Sequence, residues 1–306
     1  MSSHTKVLAP RRVINSANTS LGSIGLGYVY TDEAIQNSAT FPTVAIESGF
    51  EKNPQMIMWD PATYPDVKGI ADLGTNKVTV RYFGGAAYMD YLTTTGILSP
   101  EQVDGSYTGD PALFIADEGK AAQQGFGSAE PFLYESELAD WGKPVAYEYI
   151  NDIGWKNYAQ SIATKPENIT EYADCFKALV PMIQQSTVDY LADPSHGNKV
   201  ILDATASFGE AFGWTYTEGA AAYGVETIKK DGLQANDPKS GVHGQFDFDR
   251  IQGLIDSETL AVGHAARLGG GCGHAAGGGG CPRGSRWEIA CHQQQRGDGL
   301  RCAARG

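Results

Sequence analysis

Lys77-Val-Thr-Val-Arg-Tyr-Phe83 and the stretch that follows it, Gly84-Gly85-Ala86-Ala87-Tyr88-Met89-Asp90-Tyr91-Leu92, decide the fold. The first seven residues are rich in β-branched and aromatic side chains, which suit a buried, extended strand. Two glycines then punctuate the chain, and Met89, Leu92 and Ile97 continue with a helical pattern. Together they read as a strand, a glycine turn and a helix N-terminus, the repeating unit of an α/β sheet protein.

The same unit recurs on both sides. Ile24 to Tyr30 reads as a strand ending at Thr31-Asp32, with Asp32 beginning a short helix over Glu33 to Gln36. Thr43 to Glu47, Gln55 to Trp59, Gly125 to Ala129, Val145 to Ile150 and Gln160 to Thr164 are further predicted strands. Asp110-Pro111 supplies an N-cap and first-turn proline for a helix to about Gly119. After Pro166, the residues Ile169, Tyr172, Phe176, Leu179, Val180, Ile183 and Leu191 keep a helical rhythm that Pro181 is expected to kink. Helices are also predicted at Lys199 to Phe212 and Asp247 to Leu260. This alternation predicts an α/β body with mainly parallel sheets.

Composition narrows the function classes. The chain has 306 residues, 42% of them hydrophobic, with 36 acidic against 23 basic side chains. That is no collagen, coiled coil or disulfide miniprotein. A net charge of −13 repels phosphate backbones, so neither nucleic acid nor an anionic membrane is an expected partner. No apolar run reaches membrane-spanning length, and the first thirty residues hold no signal-peptide core, so the chain as written carries no address out of the cytoplasm.

Near Val262 the composition changes. Residues 263–306 contain 13 glycines, six arginines and two acids, so this tail carries +4 and the preceding residues −17. Four of the five cysteines fall here, at Cys272, Cys281, Cys291 and Cys302, without the paired spacing of a zinc site. The tail has little apolar periodicity and is expected to be disordered. A Gly/Ala/Arg/Cys/Pro mixture of this kind is also what a GC-rich gene yields when read out of frame.

Catalytic motifs are scarce. Thr205-Ala-Ser207-Phe-Gly209 lacks the first glycine of a nucleophile elbow and lies within a helical pattern, so Ser207 reads as a surface helix serine. Gly22-Ser-Ile-Gly25-Leu-Gly27 has neither dinucleotide-binding nor Walker spacing. His196 and His243 stand in polar, glycine-containing surroundings as loop histidines, or as ligands of a divalent metal in a hydrolase of the phosphoester or phosphotriester type. That hydrolase is the alternative function; otherwise no cofactor is expected. Cys175, beside Phe176 and Leu179, is expected to be a buried thiol.

The strand-turn-helix stretch, preceded by Val67-Lys-Gly-Ile-Ala-Asp-Leu73, resembles the substrate-binding proteins of ABC importers, of the nitrate/sulfonate/taurine and thiamine-precursor class. Blocks in the same order extend the resemblance: Leu26 to Ile35, Glu51 to Ile57, Gly96 to Val103, Glu118 to Gly125 and Ser128 to Pro131. It covers roughly Ile14 to Leu260.

The resemblance implies a bilobed, type 2 periplasmic-binding-protein fold with lobe one incomplete. Its parts would be an unstructured 1–13, a partial lobe one at 14–66, lobe two at 67–165, return helices at 166–262 packing on lobe one and the hinge, and the tail at 263–306. It implies a protein that captures a small polar or charged solute without chemistry, hands it to an ABC permease, and works outside the cytoplasm. The ligand would sit between the lobes against helix N-termini, loop amides and aromatic rings.

On that view Gly84, Gly85 and Ala86 bring backbone amides close to a polar ligand, or form an ordinary tight turn. Tyr30, Thr31 and Asp32 face the cleft or cap a helix. Trp59, Tyr88 and Trp155 are stacking walls or core aromatics. Glu130 contacts a cationic ligand or is a solvated loop carboxylate.

Overall fold

The computed structural model describes residues 25–212, 215–268, 288–292 and 301–305. In chain order these form β1 (Gly27–Val29), α1 (Thr31–Gln36), β2 (Val44–Glu47), β3 (Gln55–Trp59), α2 (Ile70–Thr75), β4 (Val80–Arg81), α3 (Ala87–Thr94), β5 (Val103–Asp104), α4 (Ala112–Ala116), β6 (Ala122–Phe126) and α5 (Glu130–Phe132). There follow β7 (Ala146–Tyr149), β8 (Ser161–Thr164), α6 (Pro166–Glu171), α7 (Ala173–Ala192), α8 (Ser195–Phe212), α9 (Glu218–Lys230), α10 (Phe248–Leu268), β9 (Glu288–His292) and β10 (Arg301–Arg305).

Two sheets organise the α/β body. One has three strands in the order β1-β8-β2, the other five in the order β5-β4-β6-β3-β7. β4, β5 and β6 pair in parallel, whereas β3 is antiparallel to both β6 and β7, and β8 is antiparallel to both β1 and β2. The expectation of mainly parallel sheets is thus corrected to one antiparallel sheet and one mixed sheet. In each, the strand that arrives from the other sheet is inserted against the direction of its neighbours. A short apolar run looks the same read in either direction, so the sequence pattern does not carry this reversal.

The chain passes between the sheets twice, at 48–54 and at 150–160. These crossings lie elsewhere than the boundaries drawn at 66/67 and 165/166, because β3 already belongs to the five-stranded sheet and β8 to the three-stranded one.

Strand β3 shows how sequence sets packing. Ile57 and Trp59 enter a core with Ile70, Leu73, Val80, Tyr88 and Leu92, while Met56 and Met58 enter a second core with Phe114, Tyr134, Tyr149 and Leu233. Period-2 alternation sends its side chains to opposite faces, and both faces are covered by helices or loops. Each such burial contributes about 1.5–3 kcal/mol. The three-stranded sheet is covered likewise, with Ile251 and Ile255 of α10 on the Ala45 face and Ile169 and Phe176 on the Val44 face.

Four local readings are revised. Strand β6 begins at Ala122, not Gly125, because two polar residues, Gln123 and Gln124, are fully buried within it. Gln123 donates to the Tyr134 hydroxyl at 2.8 Å, and Gln124 accepts from the Phe83 amide at 3.0 Å and the Tyr88 hydroxyl at 2.6 Å. Helix α9 was not predicted; Gly219 and Gly224 weaken its pattern, but a side chain at 219 would press on the Phe132 ring and one at 224 on the Ser128 carbonyl. The single helix expected from Glu167 to Tyr190 is two, parted at Tyr172, and α7 keeps Pro181 within it. Cys175 is exposed on α7, not buried, because the buried stripe of that helix passes through Phe176 alone.

The tail falls mostly outside the described residues. Within it, β9 and β10 pair antiparallel.

Candidate functional site

The site is built where the crossings meet the ends of the strands. Strand β1 ends at Val29, opposite Ser161 at the start of β8, and α1 begins two residues later. Thr31 and Asp32 in its first turn are buried, whereas Tyr30 ahead of them is half-buried. The Thr31 amide donates to the Tyr158 carbonyl at 3.1 Å, and the Thr31 hydroxyl accepts from the Tyr158 amide at 2.8 Å. The Asp32 carboxylate accepts from the Glu33 amide at 3.0 Å through one oxygen and from the Trp155 indole at 3.1 Å through the other.

Trp155 links this edge to the five-stranded sheet. Its ring lies 5.3 Å from that of Tyr91 on α3, within the cluster that holds Ala86, Ala87 and Tyr88. Tyr91, midway along α3, and Asp32, in the first turn of α1, therefore meet on one indole. Gly84 and Gly85 precede α3 and are exposed, and Gly85 has a φ of 83°, a backbone conformation that a residue with a Cβ adopts at a cost. This loop leaves the carboxyl end of β4, and the Gly105 loop that packs on Gly84 leaves the carboxyl end of β5. The loop after β6 leads into Glu130, the first residue of α5. Loops beyond the carboxyl ends of parallel strands are where open α/β sheets place ligands.

The predicted residues divide accordingly. Asp32 and Trp155 bond each other, Thr31 bonds Tyr158 of the same crossing, and Ala86 and Tyr88 lie in the core cluster that Trp155 also enters. Trp59 lies instead in the core of the five-stranded sheet, 2% exposed, so it is a core aromatic and no open stacking wall. Tyr88 and Trp155 are each 1% exposed, and their polar atoms are committed to Gln124 and Asp32. Glu130 is half-buried and folds back to accept from the Phe126 amide at 2.7 Å; burial pushes its carboxyl above the usual range.

Sequence reasoning missed Gln124, whose carbonyl fixes Phe83 and Tyr88 beside the glycine loop; two consecutive glutamines before a glycine were its only mark. It also missed the crossings themselves. There Phe50 bridges Ala159, Asn53 donates to Asn157 at 2.9 Å, and Lys52 pairs with Asp152 at 2.8 Å.

Residues named for the hydrolase alternative are placed differently. His196 is exposed on α8. His243 is buried in the turn after α9, where burial lowers its pKa and its carbonyl accepts from Gln184. Ser207 is exposed and donates to the Asp203 carbonyl one turn back. Among the described residues no three His, Cys, Asp or Glu side chains are grouped as a metal ion requires. A depression of about 620 Å³ lined by Ala71, Gly74, Thr93, Ile97 and Pro100 lies away from the seam and carries no titratable group.

Comparison with known proteins follows the geometry. No family model matches the chain, and no curated protein is similar to it. A solved structure of a Bordetella bronchiseptica RB50 protein aligns over 80% of this chain and 74% of its own, at 13% identity and a TM-score of 0.51. A Candida albicans protein described as exhibiting the generic periplasmic binding protein fold aligns over 82% of this chain and 76% of its own, at 13% identity and a TM-score of 0.48. A periplasmic sulfonate-binding protein of Methylobacillus flagellatus KT gives 84%, 71%, 13% and 0.47. The likeness to the Bordetella structure shows the fold. The topology is a three-stranded antiparallel sheet and a five-stranded mixed sheet joined by two crossings, with an inserted reversed strand in each.

Proposed function

We propose that this protein is the solute-binding component of an ABC uptake system, capturing a small polar or charged metabolite between its two sheets and delivering it to a permease outside the cytoplasm. The observation that supports this reading is the Trp155 indole, which bonds Asp32 of α1 and packs on Tyr91 of α3, so that one residue of the second crossing joins an element packed on each sheet. The exposed Gly84-Gly85 loop beyond β4 offers backbone to a polar guest, and two crossings allow the sheets to open and close around it. The crossings, and not covalent chemistry, then do the work of capture. Among the described residues no helix is long and apolar enough to cross a membrane, which leaves the membrane step to a partner.

A thermal-shift screen of the purified chain against sulfonates, nitrate, amines and pyrimidines tests the reading. A solute bound with a Kd of about 1 μM and supplied at 1 mM stabilises the folded state by roughly 4 kcal/mol. At least one such shift is expected; a flat response across the whole set rejects solute capture.

A further inference from the structure

One cation at the start of α10 touches both crossings. The Arg250 Nε donates to the Lys156 carbonyl at 2.6 Å and Nη2 to the Asn157 carbonyl at 3.0 Å, both on the second crossing. Its Nη1 donates to the Glu51 carbonyl at 2.7 Å and the Glu51 carboxylate at 2.9 Å, both on the first. The guanidinium lies 3.7 Å over the Tyr158 ring, and its side chain is only 11% exposed. Below it, the Tyr158 hydroxyl accepts from the Asp247 amide at 2.8 Å, which ties the entry of α10 to the second crossing as well.

Burying a guanidinium is costly unless its donors are matched, and here all three nitrogens are. A planar fork can serve two separate strands at once, which a lysine ammonium on its flexible stem does not reproduce. Arg250 also stands on the helix that meets both sheets. Leu254 enters the core of the five-stranded unit, Ile251 and Ile255 enter that of the three-stranded unit, and Ile35 of α1 packs against both clusters.

We propose that Arg250 is a positioning residue that clamps the two crossings at a fixed spacing, making α10 a third strut between the sheets and setting how freely they swing. Its purpose rests on the solute-capture reading, but the clamp itself is measured without any solute, so either idea can fail alone. The protein's breathing about the crossings is then governed by a residue that lies outside the predicted solute contacts.

Amide hydrogen exchange on the full chain tests this. The reporters are the Lys52 amide, which donates to Leu233, and the Tyr158 amide, which donates to Thr31, with the amides of β3 and β6 as internal controls. Arg250→Lys keeps charge and most of the stem, and Glu51→Gln removes only the carboxylate's charge, so the pair remains informative where Arg250→Ala fails to fold. Arg250→Lys is expected to speed exchange at both reporters at least tenfold with the controls unchanged, and Glu51→Gln to give a smaller rise at the same amides. An equal rise throughout the chain would show a contribution to general stability and overturn the clamp, as would unchanged exchange at the reporters.

Discussion

The indole Nε1 of Trp155 donates to Oδ2 of Asp32 at 3.1 Å across 123 residues of chain, with the tryptophan 1% and the aspartate 5% exposed. This bond joins the first helix of the three-stranded unit to the second crossing. Hydrogen bonds to a buried carboxylate contribute more than neutral ones, about 1.5–3 kcal/mol. Trp155→Phe should therefore destabilise the fold by about 2–3 kcal/mol in urea denaturation, including the smaller ring's lost packing on Tyr91. Asp32→Ala is expected to add less in the double variant than it costs alone, since both changes remove the same bond. Additive losses would contradict the coupling.

Glu47, at the end of β2, is 1% exposed, and burial pushes its carboxyl up to about 7 from 4.5. A carboxyl raised on folding is bound to its proton more tightly in the folded state, so its stabilisation is complete below about pH 4.5 and is lost as pH rises to about 7. The full swing is about 3 kcal/mol. Glu51 is likewise raised to about 7 by burial, against the lowering effect of Arg250, and adds a change of the same sign. Glu47→Gln should flatten roughly half of the fall in stability between pH 4.5 and 7, measured by denaturation at several pH values. An unaltered slope would mean that Glu47 is charged throughout.

Gly74 ends its helix against a neighbouring loop so closely that a methyl group would overlap the Ile97 carbonyl oxygen. Backbone yields less readily than a flexible side chain, so Gly74→Ala should cost about 2–3 kcal/mol. Gly96 lies just ahead of that carbonyl with open space around it but a φ of 75°, so Gly96→Ala is strained for a different reason, by about 1 kcal/mol. The order of the two losses in thermal melts checks the distinction.

The exposure of Cys175 on α7 predicts that iodoacetamide modifies it in the native protein at the rate of an unhindered thiol, read by peptide mapping. Protection until denaturant is added would restore the buried position that its apolar neighbours suggest.

Much of the fold was legible where a strand combines apolar content with clear punctuation. Gln55–Trp59 was read residue for residue, since its alternating faces both bury and Pro54 marks its start. Ala122–Phe126 was displaced because its burial depends on a hydrogen bond from Gln123 to Tyr134 and on bonds to Gln124 from Tyr88 and Phe83, partners that become neighbours only in the folded chain. The glycine loop and the α1 start were legible as local turn chemistry. The bond from the α1 start to Trp155 was not, because the indole sits 123 residues beyond Asp32. Arg250 left no sequence signature at all, since its acceptors are mainly backbone carbonyls, which every residue possesses.

The most direct test of the central account is amide exchange on a one-to-one complex with a solute found in the thermal-shift screen. The account predicts protection in the exposed loop at Gly84 and Gly85, together with slower exchange at the crossings. Saturable binding that protects none of these amides, or conversion of the solute to a product, would contradict capture at the seam between the sheets.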